Sequence, residues 1–362
     1  MAVYNTIDDP SKYFQATIYS GTGSAASVTN SGNSNLQPDF IWLKNRNGTR
    51  DHRLVDSTRG PTKEVVSNGT AVEFNEATVG VTAFQSDGFA HGGGNGYGQT
   101  GETYTSWQWK ANGGTTSSNT SGSITSTVQA NTTAGFSIAT WTGTGANATI
   151  GHGLGGVPQM IIIKCRSAAH DWQVGNHLLA ISDNPLAYND PWTDYLVLNE
   201  ANAAADHAGK WNDTAPTSTV FTVGDNGSIN QDTKTFVGYF FRSINGYSKM
   251  GYYTGQANVD GRFVWTGFEP AFILWKNTDS GSTDWDIFDT ARDTYNPAIK
   301  ELLANDTNAE SSSDVISVDI LCNGFKLRTT NANANETTKN FIYMAFAGKP
   351  FATSSGVPNT AR

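Results

Sequence analysis

Cysteine is nearly absent: the 362 residues hold two, Cys165 and Cys322, 157 positions apart. They read as two unpaired thiols in strands, since free cysteine behaves as a small hydrophobe. A disulfide between them would need distant segments to meet, and nothing in the local sequence brings them together. Charged residues are also scarce, at 15% against about 25% in an average domain. The surface must therefore be made of Asn, Thr, Ser and Gly, which favours turn-rich β-structure over long solvated helices. Lys/Arg runs are missing and the net charge is −9, which speaks against a nucleic-acid partner. The longest apolar runs are of the "FIYMAFA" kind, far short of the ~20 residues of a spanning helix. The start, "MAVYNTIDDPSKYF", has no basic segment followed by an apolar one. It is not a secretory signal, and a soluble protein assembled in a cytosol is expected.

What is present is repetition. "PDFIWLK" (38–44) returns as "PQMIIIK" (158–164) and "PAFILWK" (270–276). Upstream of each lies a TG-type turn: "YSGTG", "WTGTG" and "YTGQ". Its first glycine (Gly21, Gly143, Gly255) precedes the proline by 17, 15 and 15 residues. Downstream, 7, 7 and 8 residues past the lysine, an aspartate precedes a ring: Asp51-His52, Asp171-Trp172, Asp284-Trp285. Each copy closes on an aromatic run: "YTSWQWKA", "FVGYFFRS", "FIYMAFAG". Such a period marks tandem modules. They occupy 1–111, 136–248 and 249–362, and the polar stretch 112–135 reads as a linker or exposed ribbon. Modules two and three, separated by a short "INGYSKM", are expected to pack together, with module one apart.

Alternating and β-branched runs with Asn-Gly and Asp-Gly turns predict an all-β fold of three tandem β-sandwich, jelly-roll-like modules, with at most one or two short helices. The one helix expected is "NPAIKELLAND" (296–306), from its early proline and the spacing of Ile299, Leu302 and Leu303. In the P-x5-K strand, neighbours point to opposite sides. Phe40 and Trp42 oppose Ile41 and Leu43, so both faces are apolar, as they are in the other copies. Such a strand must be covered twice. The second cover is a loop, the next module or another subunit. The lysine and the following aspartate are expected to pair across a hairpin (Lys44–Asp51, Lys164–Asp171, Lys276–Asp284), a contact worth at most ~1 kcal/mol.

Signatures of chemistry are few. The histidines (His52, His91, His152, His170, His177, His207) match no zinc spacing. "HGGGNGYG" (91–98) sits between strand-like segments and reads as a flexible glycine loop, because a phosphate or oxyanion loop needs a helix or nucleophile beside it. "DNGSINQD" (225–232) and "SDNPLAYNDPWTD" (182–194) are rich in oxygen but miss the calcium-loop spacing. The copies share no acidic pair for glycoside hydrolysis. Trp192, Trp211 and Tyr188 could stack on sugars but fit a core or interface role better. No catalytic, cofactor or metal residue is assigned, and the chain is not expected to be an enzyme.

In "TIDDPSKYFQATIYSGTGS" (6–24), "NLQPDFIWLKNRNGTRDHRLVDSTRG" (35–60) and "VTAFQSDGF" (81–89), module one resembles a repeat of virion proteins of tailed bacteriophages, marine ones especially. "AFAGKPFATSSGVPNTAR" (345–362) is similar to the way such proteins end. The likeness covers 6–111 and the tail. It weakens in the later modules: "DTARD" (289–293) keeps part of the D-S-x-R-G pattern of 56–60, and module two lacks it. The resemblance implies a virion structural protein in a tail fibre or other exterior appendage, with a host-adhesion role. A capsid decoration protein, a glycan-binding module and a polysaccharide depolymerase are the alternatives. It further implies a homo-oligomer, by analogy a trimer, that contacts other virion proteins and a host surface glycan, without nucleic acid or membrane insertion.

Overall fold

The twice-apolar strand is the centre of each module. In the computed structural model, which describes residues 5–179 and 192–360, these central strands are Phe40–Asn45, Met160–Cys165 and Phe268–Asn277. Each lies between a closing strand (Thr103–Trp109, Thr235–Phe241, Asn340–Pro350) and a ring strand (Arg53–Asp56, Gln173–Asn176, Trp285–Asp289). An opening strand (Phe14–Ser20, Phe136–Thr142, Ser248–Thr254) pairs outside the closing one. A fifth strand (Lys63–Val65, Asp194–Val197, Leu302–Leu303) pairs outside the ring strand. All of these pairs are antiparallel. A smaller sheet packs on one face: Ala26–Val28, Gly88–His91 and Val81–Gln85 in module one, Ala148–Gly151 and Val220–Val223 in module two, and Phe263–Trp265, Gly324–Leu327 and Val318–Leu321 in module three. The fold is thus all-β, and the two α-helices among the described residues, Gly227–Asn230 and Ala332–Asn335, are one turn each.

Pleating sends alternate side chains to two different cores. Ile41 and Leu43, Ile161 and Ile163, and Ile273 and Trp275 enter the sandwich core of their own module. Phe40 and Trp42, Met160 and Ile162, and Phe272 and Leu274 enter one core common to all three modules. At its centre Trp109, Phe241 and Phe346, which occupy one register position in the three closing strands, touch one another with ring centroids 5.5–6.4 Å apart. The modules therefore stand around a pseudo-threefold axis, and module one contacts both others instead of sitting apart. The second face of the central strand is covered within the chain, so it does not call for another copy.

One local expectation fails, and another is decided between its two readings. Residues 296–306 are not helical: Leu302–Leu303 is a short strand on Trp285–Asp289. The Asp293 carboxylate takes the backbone N–H groups of Ile299 (2.6 Å) and Lys300 (2.7 Å). Pairing with a neighbouring strand outweighs the propensity of a short apolar run. The polar stretch 112–135 contains two strands, Ser117–Asn119 and Ser126–Asn131, which extend the module-two sheet past its opening strand. The TG turns also find their reason. A Cβ on Gly21, Gly143 or Gly255 would lie 2.1–2.3 Å from a carbonyl oxygen of the facing loop, so only glycine fits.

Candidate functional site

The shared lysines and rings, which look like functional signals, are joints. Lys44 Nζ donates to Asn45 O (2.9 Å) in its own module and to Thr307 O (3.0 Å) in module three. Lys164 Nζ donates to His170 O (2.6 Å) and to Thr70 O (2.9 Å) of module one. Lys276 Nζ donates to Thr283 O (2.6 Å) and to Ala201 O (3.4 Å) of module two. The expected lysine–aspartate pairs do not form. Asp51, Asp171 and Asp284 instead accept from the side-chain amides of Asn68, Asn199 and Asn305. An ammonium sunk this far finds carbonyl dipoles nearer than a solvated carboxylate. Burial pulls each lysine down to about 8.

The rings repeat the cycle. Trp172 Nε1 donates to Val66 O (2.7 Å), Trp285 Nε1 donates to Val197 O (3.0 Å), and His52 Nε2 meets Leu303 O (2.9 Å). His52 Nδ1 accepts from Trp42 Nε1 at 2.8 Å, so the ring is neutral with its proton on Nε2. Burial first, then the nearby Lys44, holds its pKa well below the usual histidine value. The residues that receive these bonds form a second repeat: "KEVVSNGT" (63–70) and "KELLANDT" (300–307), with "DYLVLNEA" (194–201) in module two.

The remaining candidates also serve structure. Cys165 is buried and Cys322 half-buried, both unpaired. The glycines of 91–98 permit close packing: a Cβ on Gly92 would collide with Thr78 O. Tyr97 of the same loop donates to the buried Glu64. In 225–232, Asn226 caps the short helix, and the Asn230 amide bonds Ala146 O and Gly224 O. Residues 182–191, with Tyr188, lie outside the described residues. Among the described residues no group of three or more His, Cys, Asp or Glu is placed to hold a metal ion. Trp192 and Trp211 are buried edge to face, 5.7 Å apart. The carboxyls of Asp286 and Glu301 are neighbours. Burial, and then Glu301, raise Asp286 well above the carboxylate range, but Asp286 is fully buried and closed to a substrate.

The open site lies on module three. Its opening strand Ser248–Thr254 and the strand Phe263–Trp265 are both sheet edges, and between them runs a cleft of about 730 Å³. Tyr252, Phe263 and Trp265 are among its lining residues and are 44%, 41% and 48% exposed, and Tyr253 and Tyr343 form part of its wall. Lys249 Nζ ties the two edges by donating to Trp265 O at 2.6 Å. In module two the equivalent edge is covered by Ser126–Asn131. In module one, pairing register puts Ile18 where Tyr252 stands, and Ser27 and Thr29 flank Val28 as Phe263 and Trp265 flank Val264. Sequence reasoning passed over these rings. Their signal was a difference between aligned copies rather than a shared landmark.

A smaller polar recess of about 390 Å³ lies where module two meets Thr70. In it Lys210 Nζ is held by Asn226 Oδ1 (3.1 Å) and Ser228 Oγ (2.7 Å), above the Tyr195 ring. Burial lowers its pKa to about 8. No helix among the described residues is long and apolar enough to cross a membrane.

Neither a curated protein nor a solved structure matches the chain significantly. Residues 9–350 match a domain of unknown function, DUF7483, and the chain belongs to that family.

Proposed function

We propose that the protein is a structural component of a bacteriophage particle, part of a tail fibre or another exterior appendage. The observation that carries this reading is the closed cycle of joints around the pseudo-threefold axis. Each module donates a lysine and a ring to the next, so the chain reproduces internally the contacts of a trimer. Such a unit presents three related surfaces at one pole, which suits a threefold-symmetric partner in a particle. The likeness of residues 6–111 and 345–362 to virion repeats supports the same reading. The test is location. Peptides of this chain should be recovered by mass spectrometry from gradient-purified particles of a phage that encodes it. A chain abundant in the lysate and missing from intact particles overturns the proposal.

A further inference from the structure

The cleft between Ser248–Thr254 and Phe263–Trp265 combines features that the other two modules do not share. Three large rings stand about half exposed on a protein in which charged residues are only 15% of the chain. Exposed rings gathered along a cleft mark a binding site more often than chance burial does. Phe263 and Trp265 are two residues apart on one strand, hence on one face and roughly 7 Å apart. Gln159, Ser243, Asn245 and Thr254 add polar groups to the lining. This mixture of flat apolar faces and hydrogen-bonding groups matches a pyranose, which has C–H faces and a hydroxyl rim.

Charge narrows the class. Among the described residues the lining contains Lys249 and Arg262 and no Asp or Glu, in a chain whose net charge is −9. Arg262 is exposed and makes no ion pair among the described residues. The nearest acid in sequence, Asp260, is bound by Lys326 (2.6 Å) and Arg328 (2.8 Å) instead. A cationic island in an acidic surface selects an anionic ligand by local attraction and by repulsion elsewhere. A cleft of about 730 Å³ is within the size range of small-ligand sites.

We infer that this cleft binds an acidic oligosaccharide, with Tyr252, Phe263 and Trp265 as stacking platforms and Arg262 as the anion contact. The inference does not depend on the place of the protein in a particle.

Native gels cast with sodium alginate, chondroitin sulfate or dextran test it with the full chain. The protein should be retarded by one or both acidic polymers and run freely in dextran. Tyr252→Ala/Trp265→Ala should weaken retardation about tenfold or more. Arg262→Gln should weaken it less and flatten its salt dependence. Tyr295→Ala, which removes an exposed ring outside the cleft, should behave as wild type. A thermal melt of each variant separates lost binding from lost fold. Free migration in all three gels overturns the inference, as does equal retardation in dextran or a folded double variant retarded like wild type.

Discussion

The seam where module two meets module one and the seam where module three meets module two share a backbone plan and differ in chemistry. At the first, Arg59 is fully buried against Asp56 (2.5 Å) and Glu73 (3.0 Å). Tyr239 donates to Asp56 at 2.8 Å, and Arg166 reaches Glu73 at 2.8 Å from across the seam. The seam between modules one and three copies this: Arg292 sits on Asp289 (2.5 Å) and Glu310 (3.2 Å), Trp107 donates to Asp289 at 2.9 Å, and Arg46 crosses to Glu310 at 2.8 Å. At the third seam the corresponding register positions hold Asn176 for the aspartate, Met344 for Tyr239 or Trp107, and Thr278 for the crossing arginine. Ala204 stands in place of the glutamate, and its N–H still bonds Thr278 O at 2.8 Å, as the Glu73 N–H bonds Arg166 O at 2.7 Å. The main-chain joint is therefore the common element. The charged network is an addition that two seams carry and one does without, in line with buried ion pairs conferring specificity more than stability.

The largest effect expected is from Arg59→Met. It strands the buried Asp56 carboxylate and should cost about 3–5 kcal/mol in urea denaturation, with Arg292→Met matching it. A loss below about 1 kcal/mol would show that the networks add nothing and would dissolve the contrast. Next come Trp172→Phe and Trp285→Phe. Each leaves a carbonyl of the neighbouring module without its donor and should cost about 1–3 kcal/mol. Near-equal losses at the charged and uncharged seams would confirm that the ring joint is common to both.

Acid should single out the ring joint that uses histidine in place of tryptophan. His52 is held neutral in the fold, below its ordinary value of 6.5. The unfolded chain therefore takes up a proton first as pH falls through 6.5, and stability drops by up to about 1.4 kcal/mol per unit. Hydrogen exchange near Leu303 should accelerate at pH 5 while the segments at Val66 and Val197, held by tryptophans, stay protected. Uniform acceleration would sink the assignment.

Glu64 has the opposite sign. Burial raises its pKa to about 8 from 4.5, so the fold retains a proton that the unfolded chain has lost. Wild-type stability should fall from pH 4.5 to 8, and Glu64→Gln should remove that slope and surpass wild type at pH 8. The smallest effect is expected from Asn176→Ala, within about 1 kcal/mol. The amide nitrogen of Asn176 is buried without a partner, so the loss is confined to the single bond its oxygen accepts from Leu178 N–H (2.9 Å).

The central strand was legible because a proline, five residues and a lysine recur with both faces apolar. The fold class follows from that pattern and from the turn dipeptides. The fifth strand was not legible. Asn68, Asn199 and Asn305 follow their aspartates by 17, 28 and 21 residues, so no fixed gap exposes the repeat. "KELLAND" read as a helix for the same reason, although its counterpart "KEVVSNG" holds the strand Lys63–Val65. The lysine–aspartate pairing was a reasonable hairpin argument that took no account of carbonyls from another module. The cleft escaped notice because Tyr252, Phe263 and Trp265 are where module three departs from the shared pattern.

By itself, the order of residues determined that three β-units exist, that each has a strand with two dry faces, and that turns of Asn and Gly separate the strands. These are local consequences of side-chain alternation and backbone sterics. Only the tertiary structure decided what lies over the second face, which carbonyl each buried lysine meets, and which edge stays open. Lys44 finds Thr307 across 263 positions of sequence. A contact of that kind depends on how three finished sheets close around an axis, and no spacing within one of them encodes it.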